Sequence, residues 1–108
     1  MTNYSRGAKF EYRVRAWYER KGYTVIRAAG SHGAADLIAW YAKYGSVPDV
    51  VVIQCKCGKK KSYVKAIDEL NAMRIPENWR RELWISEGKK TFVRDLADIT
   101  DQEVKING

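Results

Sequence analysis

The chain has 108 residues, 45% of them hydrophobic, which fits a single domain over residues 1–108 with one core and excludes a multidomain assembly. Twenty Lys and Arg against 13 Asp and Glu give a formal charge of +7 and a pI near 9.5, favouring a polyanionic partner such as DNA or RNA. No apolar run is long enough to cross a bilayer and no signal-peptide pattern opens the chain, so no membrane association and a cytoplasmic location are expected.

Residues 5–21 predict an amphipathic helix, because Phe10, Val14 and Trp17 recur at i, i+4 and i+7. Gly22 follows as its C-terminal cap, and Glu11 falls at the border of the apolar stripe. Residues 23–27, Tyr-Thr-Val-Ile-Arg, form a β-branched and aromatic run that predicts a strand. Ala29-Gly30-Ser31-His32-Gly33 is loop sequence. Residues 36–41 and 50–56 predict two further strands, separated by Gly45-Ser46-Val47-Pro48 and paired as a hairpin. The second is the most hydrophobic and is expected at the centre of the sheet.

A helix is predicted over residues 64–75, with Ala66, Ile67, Leu70 and Met73 on one face and Pro76 as its stop. Residues 82–85 and 91–93 read as two last strands around the turn Glu87-Gly88-Lys89-Lys90. The tail, residues 95–108, carries no clear pattern. The order αβββαββ implies an α/β fold, a mixed central β-sheet flanked by helices. Trp17, Trp40 and Trp84 are expected in the core, and Trp79 either there or on a dimer surface. Cys55 and Cys57, two apart on a strand, are expected as buried reduced thiols; with one histidine in the chain they cannot complete a structural zinc site.

The polar residues at the strand ends carry the chemistry. Gln54 and Lys56, two apart, share one face of their strand. Antiparallel pairing sets the start of one hairpin strand beside the end of the other, which brings Asp36 next to Gln54-Cys55-Lys56, with Glu11 in reach from the first helix. A polar pair ending a central strand is costly to bury unless it has partners. Phosphodiester hydrolysis needs this combination, oxygen ligands for a divalent cation and a cationic side chain at the phosphate.

This pattern resembles the PD-(D/E)xK nuclease superfamily, with Ala35-Asp36 where Pro-Asp is usual and Gln54-Cys55-Lys56 where Glu-x-Lys is usual. Within it the chain is most similar to archaeal-type Holliday junction resolvases. Arg6-Gly7 before Glu11, Gly22-Tyr23-Thr24-Val25-Ile26-Arg27, Ala29-Gly30-Ser31, Ala35-Asp36-Leu37-Ile38-Ala39 and Ile53-Gln54-Cys55-Lys56 carry the likeness, over about half the chain. The resemblance implies a restriction-endonuclease-like core, Mg²⁺ or Mn²⁺ held by Glu11, Asp36 and Gln54, and Lys56 orienting the water or stabilising charge on the phosphate. It also implies that Ser31 sits near the bound backbone, that Arg6 and Arg27 contact phosphates, and that a homodimer cuts opposing strands of a four-way junction.

Lys9, His32, Lys59, Lys60 and Lys61 complete the expected DNA contacts. Gln54 departs from the family, which has an acid there; its carbonyl can ligate a cation but brings no charge. Two other readings therefore stand beside the resolvase: a general repair or restriction-like endonuclease of the same superfamily, and a nucleic-acid-binding module that does not cut.

Overall fold

The computed structural model describes residues 3–28, 35–42, 44–58, 63–98 and 100–106, with side chains from Gly7 onward. Helix α1, Asn3–Arg20, leads into strand β1, Thr24–Arg27. Strands β2, Leu37–Tyr41, and β3, Asp49–Cys57, follow, then helix α2, Val64–Ala72, and strands β4, Arg80–Glu87, β5, Lys90–Asp95, and β6, Asp101–Glu103. The six strands form one mixed sheet in chain order. Only β3 and β4 run parallel, as the α2 crossover between them requires; every other neighbouring pair is antiparallel.

Strand alternation divides the core into two layers. Leu37, Ala39, Val51, Ile53 and Trp84 point to one face, where they bury against Phe10, Val14 and Tyr18 of α1. Ala35, Val52, Leu83 and Ile85 point to the other and pack on Ala66 and Leu70 of α2. The buried stripe of α1 runs through Tyr18 rather than Trp17, which packs half-buried at its margin with its ring edge toward Trp84. Trp40 is likewise half-buried, and Trp79 packs partly buried on the α2 side. Both cysteines are half-buried thiols on the α1 face, more open than expected.

The ends of the helices have physical causes. Gly22 ends α1 at a φ of 94°, a conformation that disfavours any side chain, and a Cβ there would also lie 3.2 Å from the Tyr41 ring. Helix α2 stops at Ala72, earlier than its apolar pattern predicts. Met73 is already extended, and the Arg81 guanidinium takes the carbonyls of Leu70 and Met73 at 2.9 and 2.8 Å, satisfying groups the helix end leaves open. Beyond β5 the tail adds β6, a strand that the sequence pattern did not indicate; its three residues are all exposed, so no apolar alternation marks them.

At the end of the sheet where β3 and β4 begin, a polar network lies against the α1 layer. Glu82, 7% exposed, accepts hydrogen bonds from the Tyr18 hydroxyl, from Trp84 Nε1 at 3.1 Å and from Arg80 Nη1 at 2.7 Å. Arg80 also grips Asp49 with two parallel bonds of 2.9 and 2.8 Å, and Tyr23 donates to the same carboxylate. A buried carboxylate is tolerable only while such partners hold it. Replacing Arg80 by Met is therefore expected to cost about 3–5 kcal/mol, because Glu82 stays buried without its cation. Tyr18→Phe removes one of three donors and should cost about 1 kcal/mol. Urea unfolding of the two variants checks this ordering.

Candidate active site

The site forms where β2 starts alongside the end of β3. Leu37 lies opposite Ile53 in the ladder, and one step earlier the Asp36 amide donates to the Ile53 carbonyl at 2.8 Å. The Asp36 carbonyl in turn accepts the Ala28 amide at 2.9 Å, which ties the residue to the end of β1. With its backbone held on both sides, Asp36 turns its carboxylate onto the Cys55 amide, Oδ2 at 2.7 Å. The hairpin expected from sequence thus exists, and Asp36 meets the Gln54-Cys55-Lys56 segment as anticipated. The amide of Cys55 is a partner that sequence reading missed, since no side-chain pattern signals a backbone donor.

Burial pushes the Asp36 carboxyl above its usual range, and the Cys55 amide, Lys56 and Arg27 only partly offset this. Glu11, on α1 between the core residues Phe10 and Val14, is also raised, first by burial and then by the negative charge of Asp36. Arg27 opposes that shift, with Nη2 3.5 Å from Glu11 Oε1. The Cys55 thiol is held in its protonated form by burial and then by both carboxylates, so Asp36 and Glu11 act on one spot. Beside Glu11 a cavity of about 260 Å³ is lined by Ala8, Tyr12, Arg15, Arg27 and Leu37. Arg15 belongs to the basic cluster near the start of the sequence, whereas Tyr12, 71% exposed, is a group there that the sequence pattern did not single out.

Gln54 is 5% exposed, and its Oε1 has no hydrogen-bond partner among the described residues. A buried carbonyl oxygen left open is costly, so something else must satisfy it. By alternation Gln54 shares the α2 face with Val52 and Lys56, whereas Glu11 comes from the α1 side, where its charge and that of Asp36 act on each other. The described residues hold no group of three His, Cys, Asp or Glu suited to a metal. Two carboxylates and an open amide carbonyl nonetheless make an all-oxygen donor set, the type that suits Mg²⁺ or Mn²⁺.

Lys56 is exposed and its positive charge is felt at Asp36. Lys9 is exposed on α1, as a solvent-facing cation should be. Ser31, His32, Lys59, Lys60 and Lys61 lie outside the described residues, as does the side chain of Arg6. Among the described residues, no helix is long and apolar enough to cross a membrane.

Comparisons with known proteins bear on this geometry. A family pattern described as a restriction endonuclease, Mrr_cat, matches residues 3–94. Over 66 residues, 60% of this chain, the sequence is 38% identical to the crossover junction endodeoxyribonuclease Hjc of Methanocaldococcus jannaschii. That stretch spans 45% of the relative's length. The structure of Archaeoglobus fulgidus Hjc, a Holliday junction resolvase from an archaeal hyperthermophile, superposes with a TM-score of 0.62 over 94% of this chain and 88% of that one. At 17% identity the superposition shows a common fold, the mixed sheet between helices.

The raised carboxyls carry a stability cost with a definite sign. The native state holds the Asp36 proton to higher pH than the unfolded chain does, so the charged form penalises folding once pH rises through the native value. Asp36→Asn, which keeps an oxygen for the Cys55 amide, should therefore be more stable than the parent at pH 7. The gain should shrink as pH falls through the native pKa and vanish below the ordinary value of 3.8. Urea melts across a pH series check this; an Asn variant less stable at neutral pH contradicts it.

Proposed function

Because this chain belongs to the restriction endonuclease family, we propose that it is a metal-dependent DNA endonuclease that resolves four-way junctions. The observation that carries the reading is Asp36, its carboxylate fixed on the Cys55 amide within the fields of Lys56 and Glu11, with Gln54 and its open carbonyl the preceding residue on β3. The junction as substrate is supported by the names of the two Hjc proteins to which the chain is similar. The +7 charge supplies the non-specific attraction to the DNA backbone.

Glu11, Asp36 and Gln54 would hold Mg²⁺ or Mn²⁺, which when bound supplies Lewis-acid polarisation of the scissile phosphoryl group. The chain's own residues do the rest. Asp36, immobilised by the hydrogen bond from the Cys55 amide, would fix where the cation sits and, through it, where the phosphate docks. The Lys56 ammonium faces charge that grows on the non-bridging oxygens as water adds to phosphorus and the P–O3′ bond breaks. The departing 3′-oxygen takes up a proton, and the attacking water loses one to solvent. Arg27 would take an adjacent phosphate, a role supported by its half-exposed side chain beside Glu11. Two copies related by a two-fold axis would match the symmetry of the junction and cut opposing strands.

Gln54 gives the reading its sharpest test. A neutral ligand weakens cation affinity, so Gln54→Glu should lower the Mg²⁺ or Mn²⁺ concentration for half-maximal cleavage by about tenfold, of the order of one charge contact. Asp36→Ala and Lys56→Ala should each lower cleavage of a synthetic four-way junction by about 10²-fold or more. Paired symmetric nicks in the parent support the proposal. Equal cleavage of linear duplex would point to a general endonuclease of the superfamily. Junction binding without cleavage in either metal would make the protein a binding module, and the neutral Gln54 is the observation that favours that second reading.

A further inference from the structure

A second cavity lies on the face of the sheet that carries α2, one strand beyond Lys56. It measures about 210 Å³ and is lined by Tyr63, Ile85, Glu87, Lys90, Phe92 and Asp101. Lys56 stands opposite Ile85 in the β3–β4 ladder and Ile85 opposite Phe92 in the next, so these positions form one row across the sheet. Neighbouring strands lie about 4.8 Å apart, which puts the floor of the cavity one strand's width from Lys56. Ile85 and Phe92 belong to the layer of Val52, the face onto which alternation also turns Lys56.

Its lining does not suit a phosphate. Glu87 and Asp101 set two carboxylates against the ammonium of Lys90 and the guanidinium of Arg94, so the lining offers no surplus of positive charge. Arg94 pins Asp101 in place with two bonds of 2.5 and 3.0 Å. Tyr63 and Phe92 are only partly buried, and both line the cavity. Flat aromatic walls accept the face of a base, and carboxylates accept hydrogen bonds from its exocyclic amino group. The volume equals about seven waters at liquid density, room for one ring system and no more.

We propose that this cavity receives one unstacked nucleobase bearing an amino group, next to the cut, with Tyr63 and Phe92 as the stacking surfaces and Glu87 as the edge reader. The proposal rests on the DNA endonuclease reading and adds a source of site preference that the metal centre cannot provide. A four-way junction, whose stacks are interrupted at the branch point, presents bases that are easier to unstack than those of continuous duplex.

Junctions carrying 2-aminopurine at successive positions around the branch test it, titrated with the parent protein without divalent cation. A several-fold fluorescence rise at one position is expected, lost in Tyr63→Leu and Phe92→Leu. Glu87→Ala should keep the rise but level the cleavage rates of junctions that differ in the amino group at that position. A flat signal at every position, or a rise unchanged in both Leu variants, overturns the proposal. Thermal melts identify a Leu variant that fails to fold, and Glu87→Ala at the rim then decides the matter: rates that remain unequal overturn it. Cleavage of the same junctions in Mg²⁺ is scored separately. No cleavage defeats the endonuclease reading itself, while cleavage with flat fluorescence defeats the cavity alone.

Discussion

The antiparallel register of β2 against β3, with Leu37 opposite Ile53, decides where the strand residues of the site, Asp36, Gln54 and Lys56, lie. Shifting it by one residue would turn Leu37 and Ala39 out of the α1 layer and move Asp36 away from the Cys55 amide. Alternating burial on β2, packed beside a β3 run that is buried on both faces, thus fixes the register, and the register fixes where Asp36 lies. The core residues Val51 and Ile53 are fully buried, so a slip would cost the packing of the whole layer. The site inherits its rigidity from that layer, while its own carboxylates are destabilised by the burial that holds them.

The two ends of the sheet handle buried charge in opposite ways. At the end where β3 and β4 begin, Glu82 and Asp49 are held by Arg80, Tyr18, Trp84 and Tyr23, a network in which both carboxylates have charged and neutral donors. At the other end, Asp36 and Glu11 have fewer partners, raised pKa values and each other's charge nearby. Gln54 adds an open carbonyl. Raised carboxyls and an unmet carbonyl together at one rim are the pattern expected where a cation and a phosphate are to be bound.

Much of this was legible in the sequence, for physical reasons that can be named. Two strand-like runs, residues 36–41 and 50–56, separated by the break Gly45-Ser46-Val47-Pro48, pointed to a hairpin, and hairpin geometry brought Asp36 to Gln54-Cys55-Lys56. The helix period of Phe10 and Val14 placed Glu11 at the margin of a buried stripe, where it is found. What escaped were features set by distant chain. The early stop of α2 depends on Arg81 reaching back to its last carbonyls. The role of Glu82 depends on Tyr18, 64 residues earlier. Strand β6 escaped because its exposed residues carry no apolar signal. The approach of Glu11 from the α1 face, with Gln54 and Lys56 on the other, also follows from packing rather than from local pattern.

The central claim is that Asp36, Glu11 and the neutral Gln54 together bind a divalent cation at the rim of the sheet. Direct titration of the DNA-free protein with Mn²⁺, followed by the loss of the free-ion EPR signal, tests it without relying on catalysis. Saturable binding is expected in the parent and is lost in Asp36→Asn, a variant that keeps an oxygen for the Cys55 amide. Binding that is unchanged in Asp36→Asn, or absent from the parent at any Mn²⁺ concentration, would contradict it.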